Sequence, residues 1–114
     1  MEARATAKFI RMSAQKARLV ADLIRGKNAG EAINILRFTK KRASRAIEKV
    51  LHSAISNAEQ KSEHLDVDSL VVAQTYVNEG PRMKRVRPAP MGRAYRYQRR
   101  TSHVTVVVAT PEGE

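Results

Sequence analysis

Side chains that break bonds are sparse in this chain and poorly spaced for it. His52, His64 and His103 stand far apart, and none lies in an HExxH-type zinc spacing. Glu59, Glu63, Asp66 and Asp68 are the one cluster of carboxylates. Acids dotted along a connection read as solvated surface rather than as an acid–base pair. Ser13, Ser44 and Ser102 are hydroxyls without a base that the sequence points to. There is no Cys, which removes a thiol nucleophile, thiolate metal sites and a disulfide framework. No Gly-rich loop is placed to cradle a phosphate. The expectation is a protein without catalytic residues, metal or cofactor.

What the sequence concentrates instead is positive charge. Arg82, Lys84, Arg85, Arg87, Arg93, Arg96, Arg99 and Arg100 fall within 19 residues that contain no acid. The whole chain carries +11, but the other residues hold 14 basic and 11 acidic groups, a net of only +3. A local field of this kind attracts a polyanion such as nucleic acid, or an anionic membrane surface. Arg and Lys spaced along a ribbon suit phosphate contact more than base reading, and Arg adds a planar two-pronged fit. Tyr95 and Tyr97 share a strand face around Arg96, where they offer either base stacking or ordinary cross-strand packing. No apolar run approaches the roughly 20 residues that span a bilayer, and the first ten residues lack a signal-peptide hydrophobic region. A cytoplasmic protein without a membrane partner fits.

Elements that position these groups can be read from periodicity. The 114 residues, 42 % hydrophobic and 4 % aromatic, suffice for one domain, 1–114, whose core relies on Ala, Val, Leu and Ile. Residues 3–10 alternate, with Ala3, Ala5, Ala7 and Phe9 on one side of a strand. Ser13 offers a cap to a helix carrying Ala14, Ala17, Val20, Ala21 and Ile24, widened by Leu23 and stopped at Gly26. Asn28 and Glu31 have capping-box spacing before a short helix with Ala29, Ala32, Ile33 and Leu36 on its apolar face. Thr39 is expected to cap a third helix from Lys40 to about Gln60, with Ala43, Ala46, Ile47, Val50, Leu51, Ala54, Ile55 and Ala58 as its stripe. Arg42, Arg45, Lys49, His52 and Ser56 make a separate polar stripe. From Leu70 to Glu79, Leu70, Val72 and Tyr76 face one way and Val71, Ala73 and Val77 the other. TSHVTVVVA, 101–109, suits a central strand, and TPEGE reads as a frayed tail.

Strand, three helices, two strands is an α+β pattern: three helices packed on a small antiparallel sheet. The two late strands lie about 20 residues apart, long for a structureless loop. They are expected to continue outward as a long, protruding basic β-hairpin, approximately 80–100, turning near Pro88–Met91. Val77 would then sit opposite Ser102 and Val71 opposite Val108. Gly80–Pro81 would mark the bend where the arm leaves the body. Nine or so residues at ~3.3 Å each give a reach of roughly 30 Å. A bare two-stranded ribbon is marginal in water and its like charges repel, so the arm is expected to be mobile alone and ordered against a polyanion.

Two stretches carry a resemblance. RMSAQKARLVADLIRGK, 11–27, and NEGPRMKRVRPAPMGRAYRYQRRTSHVTVVV, 78–108, resemble the bacterial large-subunit ribosomal protein twenty-two family, and the order of the intervening helices matches as well. The resemblance implies three helices against a three-stranded antiparallel sheet with a long hairpin. It implies a structural component of the large ribosomal subunit that binds ribosomal RNA, supports subunit assembly and lines part of the peptide exit tunnel. Its partners would be large-subunit ribosomal RNA, neighbouring ribosomal proteins and, near the hairpin tip, the nascent peptide.

Carried over by motif, the RNA-binding residues are Arg11, Lys16, Arg18, Arg25 and Lys27 in the first block. Arg82, Lys84, Arg85, Arg87, Arg93, Arg96, Arg99 and Arg100 follow in the second. Arg87, Pro88, Ala89, Pro90, Met91, Gly92 and Arg93 correspond to the tunnel tip. Lys40, Lys41, Arg42 and Arg45 join the RNA-binding set because the third helix starts there and its first amides favour phosphate. Ser13, Thr101, Ser102 and His103 also match the motifs. The chain departs from the family at Ala14, Gln15 and Ala89-Pro90-Met91, so that fewer charges face RNA or the lumen at the tip. A free-standing nucleic-acid-binding module and a basic domain that docks an acidic protein are the rival classes.

Overall fold

The computed structural model describes residues 2–62, 66–81, 83–88 and 94–110, and the side chains of all of these except 83–88 and 94–99. Three helices follow the first strand. Helix α1 (Ala14–Ile24) begins where Ser13 Oγ accepts the Lys16 amide at 3.4 Å. It stops at Gly26, whose φ of 80° suits a residue without Cβ. Helix α2 (Ala29–Phe38) begins at Asn28, whose Oδ1 accepts the Gly30 amide at 2.9 Å while its Nδ2 donates to Asp68 O at 2.7 Å.

Helix α3 (Arg42–Lys61) starts later than its periodicity suggests, and Thr39 does not cap it. The Thr39 hydroxyl turns back to donate to Ile35 O at 2.6 Å, closing α2 instead. Lys41 takes the cap position and supplies no side-chain bond to the helix.

Strands β1 (Glu2–Ile10), β5 (Ser102–Ala109) and β2 (Val71–Glu79) form one antiparallel sheet in the order β1-β5-β2. A short 3-10 turn, Val67–Ser69, leads into β2. Strands β3 (Met83–Pro88) and β4 (Ala94–Arg99) pair with each other in a second, two-stranded sheet. The result is three helices on a three-stranded antiparallel sheet, with a β-hairpin beyond it. The longest dimension is 65 Å and the radius of gyration 17.4 Å, against about 13 Å for a rounded chain of this length.

One helical layer covers one sheet face. Helix α3 lies across β1 and β5, α1 against β2, and α2 against α3 and α1. Ile24, Leu36, Ile47, Leu51 and Leu70 are the largest buried side chains, and Val104, Val106 and Val108 meet them from the central strand. Ala17, Ala21, Ala54 and Ala58 are buried between them; their small size lets the backbones approach closely. On the far face Val107 and Thr105 are also buried: Arg4 and Gln74 flank Val107, and Thr6 and Tyr76 flank Thr105, the two threonine hydroxyls standing 3.0 Å apart. Leu23, expected to widen the α1 stripe, is 45 % exposed.

Two bulges overturn the simple alternation. Between Val72 and Gln74 the β2 ladder skips Ala73. Thr75 and Val77 therefore join Leu70 and Val72 inside, and Tyr76 turns out. Between Ala7 and Ile10 the β1 ladder slips as well, and Phe9, with φ of 60°, leaves the inward side that Ala3 occupies. Val77 pairs with Val104 rather than Ser102, and Val71 with Ala109 rather than Val108; the skipped residue accounts for the one-residue difference between these offsets, and the remainder is set by the register of the hairpin.

Both outer edges of the sheet are occupied by the helices' own side chains and links. On β1, Asn57 Nδ2 donates to Arg4 O and Lys61 Nζ to Glu2 O, each at 2.8 Å. On β2, Val72 exchanges hydrogen bonds with the α1–α2 link, receiving Gly26 N–H at its carbonyl and donating to Lys27 O.

Candidate nucleic-acid interface

The β1–α1 corner, the start of α3 and the root of the hairpin converge on one cationic groove. Arg11 ends the β1 turn, Lys16 stands in the first turn of α1, and Lys41 and Arg42 open α3. Arg100 returns from the hairpin, and together these five border a cavity of about 700 Å³ floored by Met12, Leu19 and Ala43. A second cavity of about 770 Å³ lies between the end of α2 and the start of α3, reached by Lys40, Lys41, Arg42, Arg45 and Lys49. The third, of about 460 Å³, joins Arg11, Arg42, Arg45 and Lys49 along β1 and α3. Arg42 borders all three, so they form one continuous basic surface.

Acids are nearly absent from it. Among the lining residues only Glu48 is acidic, and Arg37 Nε and His52 Nε2 stand 3.9 and 3.8 Å from its oxygens. The uncapped start of α3 adds its own field. Among the described residues no side-chain hydrogen bond caps it, and the helix dipole there favours an anion. Seven of the residues expected to touch RNA, Arg11, Lys16, Lys40, Lys41, Arg42, Arg45 and Arg100, thus stand together. Lys49, which lies outside the motifs, stands one turn beyond Arg45 on the same polar stripe and lines two of these cavities.

Arg18 and Arg25 stand elsewhere, turned to the outer edge of β2. Arg18 Nε and Nη2 donate to Val77 O at 3.1 and 2.8 Å. Arg25 Nη2 donates to Thr75 O at 2.8 Å, and its Nη1 meets Asp22 Oδ1 at 2.6 Å. Thr75 O and Val77 O are two residues apart on this edge, and Arg18 and Arg25, seven residues apart, reach them from the same helix face. The guanidiniums thereby fasten α1 to the sheet. Lys27 is exposed at the α1–α2 link and holds Val72 through its backbone.

In the hairpin, backbone register pairs Met83 with Arg99, Lys84 with Gln98, Arg85 with Tyr97, Val86 with Arg96, Arg87 with Tyr95 and Pro88 with Ala94. Arg82, Ala89, Pro90, Met91, Gly92 and Arg93 lie outside the described residues, as do Glu63 and His64. Between the two sheets the strands part at Gly80–Pro81. Gly80 N–H donates to Thr101 O at 2.9 Å and Thr101 Oγ1 to Pro81 O at 2.6 Å. His103 packs over this junction: its Nδ1 accepts the Phe9 amide at 3.1 Å, and its ring stands edge-to-face with Phe9 at 5.0 Å.

The arrangement suits electrostatic binding of an extended anion. Among the described residues no group of three or more His, Cys, Asp or Glu stands close enough to hold a metal ion. None of their helices is long and apolar enough to cross a membrane.

Comparison with known proteins gives this geometry its context. Residues 5–109 match the family described as Ribosomal protein L22p/L17e. The large ribosomal subunit protein uL22 of Solibacter usitatus is 61 % identical over 112 residues, covering 98 % of this chain and 99 % of the relative. That of Solidesulfovibrio magneticus is 57 % identical over 109 residues, covering 96 % and 98 %. That of Koribacter versatilis is 53 % identical over 117 residues, covering 99 % of this chain and 70 % of the relative. The chain belongs to the ribosomal protein L22p/L17e family, whose members are structural proteins of the large ribosomal subunit rather than enzymes.

Proposed function

We propose that this chain binds large-subunit ribosomal RNA through the basic groove of its body and through its hairpin, and supports subunit assembly by doing so. The observation that carries this reading is the continuous surface around Arg42, where Arg11, Lys16, Lys41 and Arg100 meet with no acid between them. Phosphate neutralisation with release of counterions supplies the binding energy, and the fit of the groove to one RNA shape supplies selectivity. The chain acts as one domain, 1–114, with an arm of approximately residues 80–100. That arm reaches from the body to the peptide exit tunnel, where the segment from Arg87 to Arg93 forms part of the wall beside the nascent peptide. Neighbouring ribosomal proteins complete its surroundings, in the cytoplasm within the large subunit.

Ribonuclease footprinting of large-subunit RNA tests the reading, using the full chain and a variant shortened symmetrically across 85–93. The full chain is expected to protect two separated sets of nucleotides, and the shortened one to lose only the set belonging to the arm. Identical footprints would refute the role of the arm, and no protection by either would refute RNA binding.

A further inference from the structure

Phe9 is in the wrong place for an apolar side chain in a half-buried strand. Alternation puts it with Ala3, Ala5 and Ala7, facing the helices. Instead β1 loses its register between Ala7 and Ile10, Phe9 adopts a φ of 60°, and its ring emerges 60 % exposed while Ile10 takes the sheltered position. Left-handed backbone at a bulky aromatic residue is strained, and such strain is concentrated at functional sites.

The ring is also held firmly. Its own amide donates to His103 Nδ1, and His103 stands edge-to-face against it at 5.0 Å. Pro81 and Thr101 border the same cavity of about 400 Å³, with Arg11 on its rim and no acid in its lining. Arg11 belongs as well to two of the basic cavities described above. A fixed aromatic surface therefore abuts the route along which phosphates are expected. Phe38 is more exposed, at 84 %, but borders none of these cavities.

We propose that Phe9 is a stacking platform for one unpaired nucleobase of the bound RNA, with Arg11 contacting the adjoining phosphate; this rests on the RNA-binding reading above. Charge selects the occupant: a base brings its own phosphate to Arg11, whereas an apolar protein side chain would leave that guanidinium unmatched. Aromatic stacking is indifferent to base identity, so the platform fixes where an unstacked nucleotide lies without reading which one it is.

The chain has no Trp, so Phe9→Trp introduces a single Trp at the platform, excited selectively over the three Tyr. The probes are end-labelled oligouridylate about 12 nucleotides long and an abasic ribose-phosphate strand of the same length. Label anisotropy reports binding and Trp emission reports stacking. Saturable quenching by oligouridylate, with none by the abasic strand, is expected. Wild type should prefer oligouridylate to the abasic strand by about tenfold, the scale of one base–aromatic stack. Phe9→Leu should lose that preference and Phe9→Tyr retain it. Anisotropy changes without Trp quenching, or an undiminished preference in Phe9→Leu, would overturn the platform alone. No anisotropy change with either strand would overturn the platform, while RNA binding itself stands or falls separately on the ribonuclease footprint. An unfolded Phe9→Leu, detected by circular dichroism, leaves the Trp measurement to decide.

Discussion

Substituting Gly80 by Ala should destabilise the protein by about 2 kcal/mol, through sterics at the hairpin root. A methyl at this position would lie 2.5 Å from Thr101 Oγ1, and 3.1 and 3.2 Å from Cε1 and Nε2 of His103. Neither neighbour can yield freely. Thr101 is buried and its hydroxyl is engaged with Pro81 O, while His103 holds the Phe9 amide. Displacing the hydroxyl forfeits one part-buried hydrogen bond, net about 1 kcal/mol, and forced overpacking costs about 1–3 kcal/mol. The two overlap, which puts the sum near 2. Urea unfolding of the full chain measures it, provided the slope with denaturant is unchanged. The mechanism has its own control. Thr101→Ala alone should cost about 1 kcal/mol, and in that background Gly80→Ala should cost less than about 1, because the obstructing oxygen is gone. A Gly80→Ala effect within about 0.5 kcal/mol of wild type, or an equal cost in both backgrounds, would refute the steric argument.

Arg18→Ala should cost about 1.5–3 kcal/mol in urea unfolding, since a charged donor pair leaves Val77 O; a loss of RNA affinity with unchanged stability would contradict the role assigned here. Leu51→Ala, fully buried on α3, should cost about 2–5 kcal/mol in the same assay. Ser102→Ala should be neutral or stabilising by about 1 kcal/mol, because its buried hydroxyl has no hydrogen-bond partner among the described residues; thermal unfolding decides the sign. Removing Arg42 and Arg45 together should flatten the dependence of log affinity on log salt by about 0.7–0.9 per lost phosphate contact, as read from RNA titrations across salt concentrations.

Much of this architecture is legible because the helices bury stripes of one period and β5 is a continuous run buried on both faces. Ala43, Ile47, Val50, Leu51, Ala54 and Ala58 all recur at helical spacing and all are buried. Where reading along the chain fails, an added residue changes the phase. Nothing local announces that Ala73 will be skipped, so Tyr76 and Val77 exchange faces. Phe9 leaves its expected face at a second such slip, where its amide meets His103 Nδ1 on the neighbouring strand. The cationic groove was half visible. Charge type and the start of α3 mark Lys41 and Arg42, but their meeting with Arg11 and Arg100 depends on a fold that brings residues far apart in sequence to one corner. Arg18 and Arg25 show the converse, for a motif match cannot distinguish a guanidinium facing phosphate from one facing a β-edge carbonyl.

The occupied sheet edges bear on the life of the chain before it meets a subunit. A three-stranded sheet with bare margins is a template for strand addition, and a polypeptide made ahead of its RNA would meet other copies first. Here Asn57 and Lys61 hold the outer carbonyls of one margin, while Arg18, Arg25 and the Gly26–Lys27 backbone hold those of the other. Each blocking group lies on or just after a core helix. Resistance to self-association is therefore acquired in the same event as folding, and the body is guarded against edge-to-edge aggregation as soon as its core forms.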